Sequence, residues 1–140
     1  MPHGNKDELI AYPKLVQILD IATSCLKGVP VTERKSNSVS SGWRTLEDII
    51  YDIEEIRDEL KYCVTTYRDL AKIYKKVFCT MERGAAWVNA DEHMEYYQSI
   101  ESLDKAYNAT CPYAVGLCAN NLPDLFFHGV VPFSMKIMRF

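Results

Sequence analysis

The sequence predicts an all-α fold: an elongated helical bundle built around one long amphipathic helix at 45–83, with a bend allowed for. Two observations carry that prediction. Apolar residues recur every three or four positions along most of the chain, and Gly and Pro fall outside the longest such stretch. With 140 residues, 48% of them hydrophobic, the chain has enough material for a core and fits one domain, so a disordered chain is excluded. That single helical domain spans 1–140, with a flexible loop at about 29–42 and an apolar tail at about 122–140.

The first helix is expected at about 13–27. Pro13 suits a first-turn position, Gly28 is a natural stop, and Leu15, Ile18, Leu19, Ala22, Cys25 and Leu26 fall on one face. From Val29 to Gly42 the chain is rich in Ser and Asn and lacks large apolar side chains, which reads as loop.

The main signal follows. Thr45 with Asp48 resembles a capping box. Apolar positions then run Leu46, Ile49, Ile53, Ile56, Leu60, Cys63, Tyr67, Leu70, Tyr74, Val77 and Met81, in alternating steps of three and four. Ile50, Val64, Ala71 and Phe78 widen the stripe, which calls for neighbours on more than one side. As one helix this segment measures ~54 Å, against ~37 Å for the diameter of a compact sphere of this chain length. Val64-Thr65-Thr66 is the candidate break, because β-branched residues are weaker helix formers and Thr66 with Asp69 can cap a new helix. The unbroken phase of the stripe favours continuity. The charges divide between Leu60 and Lys61. Leu46 to Leu60 holds seven acids and one base, and Lys61 to Arg83 holds six bases and two acids. An antiparallel partner that lays acid on base would account for that division.

Beyond Gly84, helices are expected at about 89–107, with Asn89 and Glu92 as a capping box, and at about 112–119, with Pro112 in the first turn. The tail from Leu122 is irregular or extended. It is rich in Phe and Met, and Phe133, Met135 and Ile137 can share one face.

No chemistry-bearing motif emerges. The five cysteines are scattered without a C-x-x-C pair, so neither a disulfide framework nor a zinc site is expected. His93 has acidic neighbours in Asp91, Glu92 and Glu95, but the Glu-x-x-His spacing of bundle metal sites is missing. A Cys/His nucleophile pair would have to be assembled in space. Gly-rich phosphate loops and hydrolase motifs are missing too. The expectation is no enzyme, no catalytic residue, no cofactor and no metal. A net charge of −3 argues against general nucleic-acid binding, and no apolar run reaches the length of a membrane span. The polar first residues point to an intracellular, cytoplasmic or nuclear protein.

The function expected from these features is that of a protein–protein interaction module, a helical adaptor or scaffold that self-associates, as a dimer, through its long heptad-patterned helix. Tyr67, Tyr74, Phe78, Phe126, Phe127 and Phe133 are the candidate interaction surface, since aromatic residues supply contact area at interfaces. The alternative is a carrier that holds an apolar ligand or lipid between the helices and the Phe/Met-rich tail.

Overall fold

The computed structural model describes residues 9–30 and 46–115, together with Leu122 and Phe126. Four α-helices account for most of them: α1 (Tyr12–Lys27), α2 (Leu46–Cys63), α3 (Tyr67–Gly84) and α4 (Met94–Ala114). A 3₁₀ turn at Ala85–Trp87 follows α3, and the described residues form no strand. The all-α class is therefore as the periodicity predicts. Residues 31–45, which include most of the loop expected at about 29–42 and the expected cap at Thr45, and the expected tail apart from Leu122 and Phe126, lie outside the described residues.

Cross-helix contacts give the topology. Asp20 pairs with Arg57 and Lys27 with Glu54, so α1 and α2 are antiparallel. Glu59 meets Lys76 at 2.7 Å, which folds α3 back along α2. Tyr67 stacks on Tyr113 and the Tyr96 hydroxyl donates to the Met81 carbonyl, so α4 runs back along α3. α1 packs against α4 and closes the arrangement, an up-down-up-down bundle.

The long amphipathic segment is two helices rather than one. Val64, Thr65 and Thr66 form the link, and the Thr66 hydroxyl accepts from the Asp69 N–H at 3.1 Å while the Asp69 carboxylate accepts from the Thr66 N–H at 3.2 Å. This reciprocal box satisfies donors that a continuous helix would have used internally, at a site where β-branched residues lower helix propensity. The larger gain comes from burial. Folded back, the two stripes cover each other, whereas a ~54 Å helix would leave part of its stripe in water. Each half is 18 residues, ~27 Å long, which fits a compact bundle. The acidic half thus meets the basic half of its own chain.

At the link the buried position moves by one residue. Cys63 is exposed and Val64 is buried in its place. α1 buries the six residues its periodicity marks, and α3 buries a wider set that adds Ala71, Ile73 and Thr80, because it packs against α1, α2 and α4. Val29, placed by its sequence context in the loop, joins the core edge.

Two expectations about the fourth helix are corrected. Asn89 does not cap it. Its side chain accepts from the Asp91 N–H at 2.8 Å and its carbonyl from Glu92 and His93, forming a turn that delays the helix to Met94. Pro112 does not begin a separate helix but lies in the last turn of α4. The carbonyl it leaves without an intrahelical donor belongs to Asn108, an exposed residue.

The link carries a pH-dependent contribution. Burial opposes ionisation of Asp69, but hydrogen bonds from Thr65 and Thr66 outweigh it and hold the carboxyl below its ordinary 3.8. A carboxyl depressed in the folded state stabilises the fold above its unfolded value and loses that contribution as pH falls through the folded one. Urea midpoints measured downward from pH 7 should therefore drop as pH passes below 3.8, and Asp69→Asn should flatten that part of the profile. Thr66→Ala should cost about 1 kcal/mol at neutral pH. Equal pH profiles for the parent and Asp69→Asn would contradict this account.

Candidate functional site

Of the aromatic residues marked in the sequence as an interaction surface, Tyr67, Tyr74 and Phe126 are buried. Tyr67 stacks on Tyr113 at 5.1 Å, and Phe126 meets the edge of Tyr12 at 6.4 Å. Tyr74 exchanges two hydrogen bonds with the Ile10 backbone. Phe78 is partly buried against the core. Tyr67, Tyr74 and Phe78 pack within the bundle from α3, and Phe126 packs on its core from the chain beyond α4. Phe127 and Phe133 lie outside the described residues.

What α3 turns outward is largely charged. Arg68, Lys72 and Lys75 stand on α3 at steps of four and three, beside an open groove of about 360 Å³ between α3 and α4. Its apolar lining comes from Ala71, Tyr107, Ala114 and Val115, with Val115 81% exposed. The Lys75 ammonium lies 5.9 Å from the centre of the Tyr107 ring, a cation–π contact that leaves its charge at the rim. Arg68 and Lys72 form no ion pair with a carboxylate among the described residues, and Lys72 and Lys75 also line the neighbouring α2–α3 groove beside Asp52, Glu55 and Glu59. The Tyr107 hydroxyl titrates above its ordinary value because it hydrogen-bonds Cys111, with the Cys111 and Cys79 sulfurs nearby and burial adding to the effect.

A second outward face lies on α2. Tyr51, Glu55, Asp58 and Tyr62 follow one another at steps of four, three and four, which puts them on one stripe. Tyr51 is 63% and Tyr62 73% exposed, and both acids between them are exposed. Periodicity reasoning passes over this stripe because it searches for the buried face. Its mark in the sequence is a pair of tyrosines eleven residues apart in an acid-rich segment, with Lys61 over the Tyr62 ring at 5.3 Å.

A third cluster joins parts of the chain that the sequence keeps apart. Cys25 near the end of α1 meets His93 and Glu95 at the start of α4. Cys25 Sγ lies 3.6 Å from His93 Nδ1 and 3.8 Å from Glu95 Oε1. His93 Nδ1 and Glu95 Oε1 are 3.6 Å apart. Burial raises the Cys25 thiol above its ordinary pKa, and the Glu95 carboxylate adds to the shift, so at neutral pH the thiol is protonated and donates to Glu95. This is not the geometry of a nucleophile triad, in which the two ring nitrogens serve different partners. Here one nitrogen faces both the sulfur and the carboxylate.

No family model, curated protein or solved structure matches this chain. Among the described residues no helix is long and apolar enough to cross a membrane.

Proposed function

We propose that this chain is a non-enzymatic protein interaction module, a helical adaptor that self-associates. Its contact is the α3–α4 groove of one copy against the acidic face of α2 of another. The observation that carries the proposal is the basic, apolar-lined groove, matched on the same molecule by an acidic stripe with two exposed tyrosines.

The two faces are opposite in sign and similar in spacing. Arg68 and Lys72 are one helical turn apart, and so are Glu55 and Asp58. Tyr51 and Tyr62 flank the acids and would supply apolar area toward Tyr107 and Val115. The heptad seam plays no part in this contact, since its residues other than Cys63 are consumed by packing within one chain. The charged rim also suits a polar-edged protein surface better than the acyl chain of a lipid, which disfavours the carrier reading.

Light scattering coupled to gel filtration at low salt should show a dimer that dissociates as salt rises. Reversing Arg68 and Lys72 together to Glu should weaken association at least ~10-fold, the equivalent of about 1.4 kcal/mol. Reversing Glu55 and Asp58 to Lys should do the same, and mixing the two variants should restore a heterodimer. A monomer at all concentrations, or a dimer indifferent to both reversals, would overturn the proposal.

A further inference from the structure

Cys25, His93 and Glu95 belong neither to the groove nor to the α2 stripe. They lie where α1 ends and α4 begins, at the opposite end of α4 from Tyr107 and Val115. Beside the thiol's hydrogen bond to Glu95, a single ring nitrogen of His93 faces both the sulfur and the carboxylate. Sγ, Nδ1 and Oε1 form a triangle with edges of 3.6, 3.8 and 3.6 Å. One Nδ1 has a single proton or a single lone pair, so it cannot accept from the thiol and donate to the carboxylate at once.

The triangle has the dimensions of a metal site. Zinc binds Cys sulfur at ~2.3 Å, His nitrogen at ~2.0–2.1 Å and carboxylate oxygen at ~2.0–2.2 Å, which sets the edges of a tetrahedron at roughly 3.4–3.6 Å. The observed edges exceed these by one or two tenths of an ångström. The donor set of one sulfur, one nitrogen and one oxygen suits zinc or cobalt and does not suit calcium or magnesium, which take oxygen alone. Thiolate, neutral imidazole and carboxylate together balance a dipositive ion. Cys25 is buried while His93 is half-exposed and Glu95 exposed, so the cluster lies at the edge of the bundle within reach of solvent.

We propose that Cys25, His93 and Glu95 bind a zinc-class transition-metal ion, with a fourth position open to solvent. Binding forms a metal–sulfur bond and transfers the thiol proton to solvent, with no change of oxidation state. Because the ligands come from the end of α1 and the start of α4, the ion ties together segments 68 residues apart in the chain. The site does not depend on the self-association proposed above.

The test is to titrate metal-free protein with Co²⁺ and then Zn²⁺, following absorption and thermal unfolding. One equivalent of Co²⁺ should give a thiolate-to-cobalt charge-transfer band with intense tetrahedral d–d absorption. Zn²⁺ should displace it and raise Tm. Cys25→Ser should abolish the charge-transfer band. His93→Ala and Glu95→Gln, both at the surface, should each weaken binding at least ~10-fold while leaving the far-ultraviolet circular dichroism unchanged. Cys63→Ser, which removes an exposed thiol elsewhere, should behave as the parent. No charge-transfer band in the parent would overturn the proposal. A band that persists in Cys25→Ser, or one unaffected by both His93→Ala and Glu95→Gln, would also overturn it.

Discussion

Tyr74→Phe is expected to destabilise the folded chain by about 2–4 kcal/mol. The Tyr74 hydroxyl accepts from the Ile10 N–H at 2.8 Å and donates to the Ile10 carbonyl at 3.0 Å. All three groups are buried, and burial pushes the phenol far above its ordinary pKa, so it stays neutral and able to donate. Removing the oxygen leaves a backbone donor and a backbone acceptor without partners, each costing about 1–3 kcal/mol if it stays buried. The segment before α1 has an escape, because it can peel away and regain water. That escape caps the loss and gives it a signature. In Tyr74→Phe the Ile10 amide should exchange with solvent much faster than in the parent, while amides in the middle of α3 keep most of their protection. A chemical midpoint and an Ile10 exchange rate both equal to those of the parent would show that this clamp contributes nothing.

The second large effect is at Gly84. Gly84→Ala is expected to destabilise by about 1–3 kcal/mol. Its backbone is ordinary right-handed helix, with φ −70° and ψ −20°, so conformational freedom is not what the position requires. Space is what it requires. A Cβ there would lie 2.5 Å from the Tyr96 hydroxyl and 3.0 Å from a Leu26 methyl. Neither group can yield easily. The Tyr96 hydroxyl is fixed by its 2.7 Å hydrogen bond to the Met81 carbonyl, and Leu26 is fully buried in α1. The methyl would have to break that bond or push α1 and α4 apart. The double variant Gly84→Ala/Tyr96→Phe is informative, because without the hydroxyl the clash is relieved. Its loss should therefore be smaller than the sum of the two single losses. Strict additivity would count against the steric account.

Gly84 also illustrates how a sequence signal can point to the right place for a different reason. Glycine after a long apolar repeat reads as a helix stop, and α3 does end there. The structural cause is the close approach of Tyr96 and Leu26, from α4 and α1, which no local pattern contains.

The link between α2 and α3 shows the limit of periodicity. Counting Leu60, Cys63 and Tyr67 gives steps of three and four. Counting Leu60, Val64 and Tyr67 gives four and three. Both keep the stripe in phase, yet the first describes a continuous helix and the second is the set buried by the hairpin. Spacing alone could not separate them. The local chemistry at Thr66 and Asp69 was the better guide, and so was the division of charge, which marked an antiparallel pairing but not that the partner was the same chain.

The Cys25–His93–Glu95 cluster was still less legible. His93 and Glu95 are near neighbours in sequence, but the sulfur comes from 68 residues away, and nothing in a one-dimensional pattern ranks Cys25 above four other cysteines. The groove was partly legible. Its basic rim is a visible run from Arg68 to Lys75, while its apolar lining from Tyr107 and Val115 depends on how α4 lies beside α3.

Helical class, the buried face of α1, the stripes of α2 and α3 and the cap at Thr66 follow from the residues, because each depends on groups within four or five positions of one another. The hairpin, the steric role of Gly84, the clamp on Ile10 and both candidate sites depend on which helices are neighbours. That choice was made by the mutual burial of stripes far apart in the chain, a non-directional force whose pairing leaves no local mark.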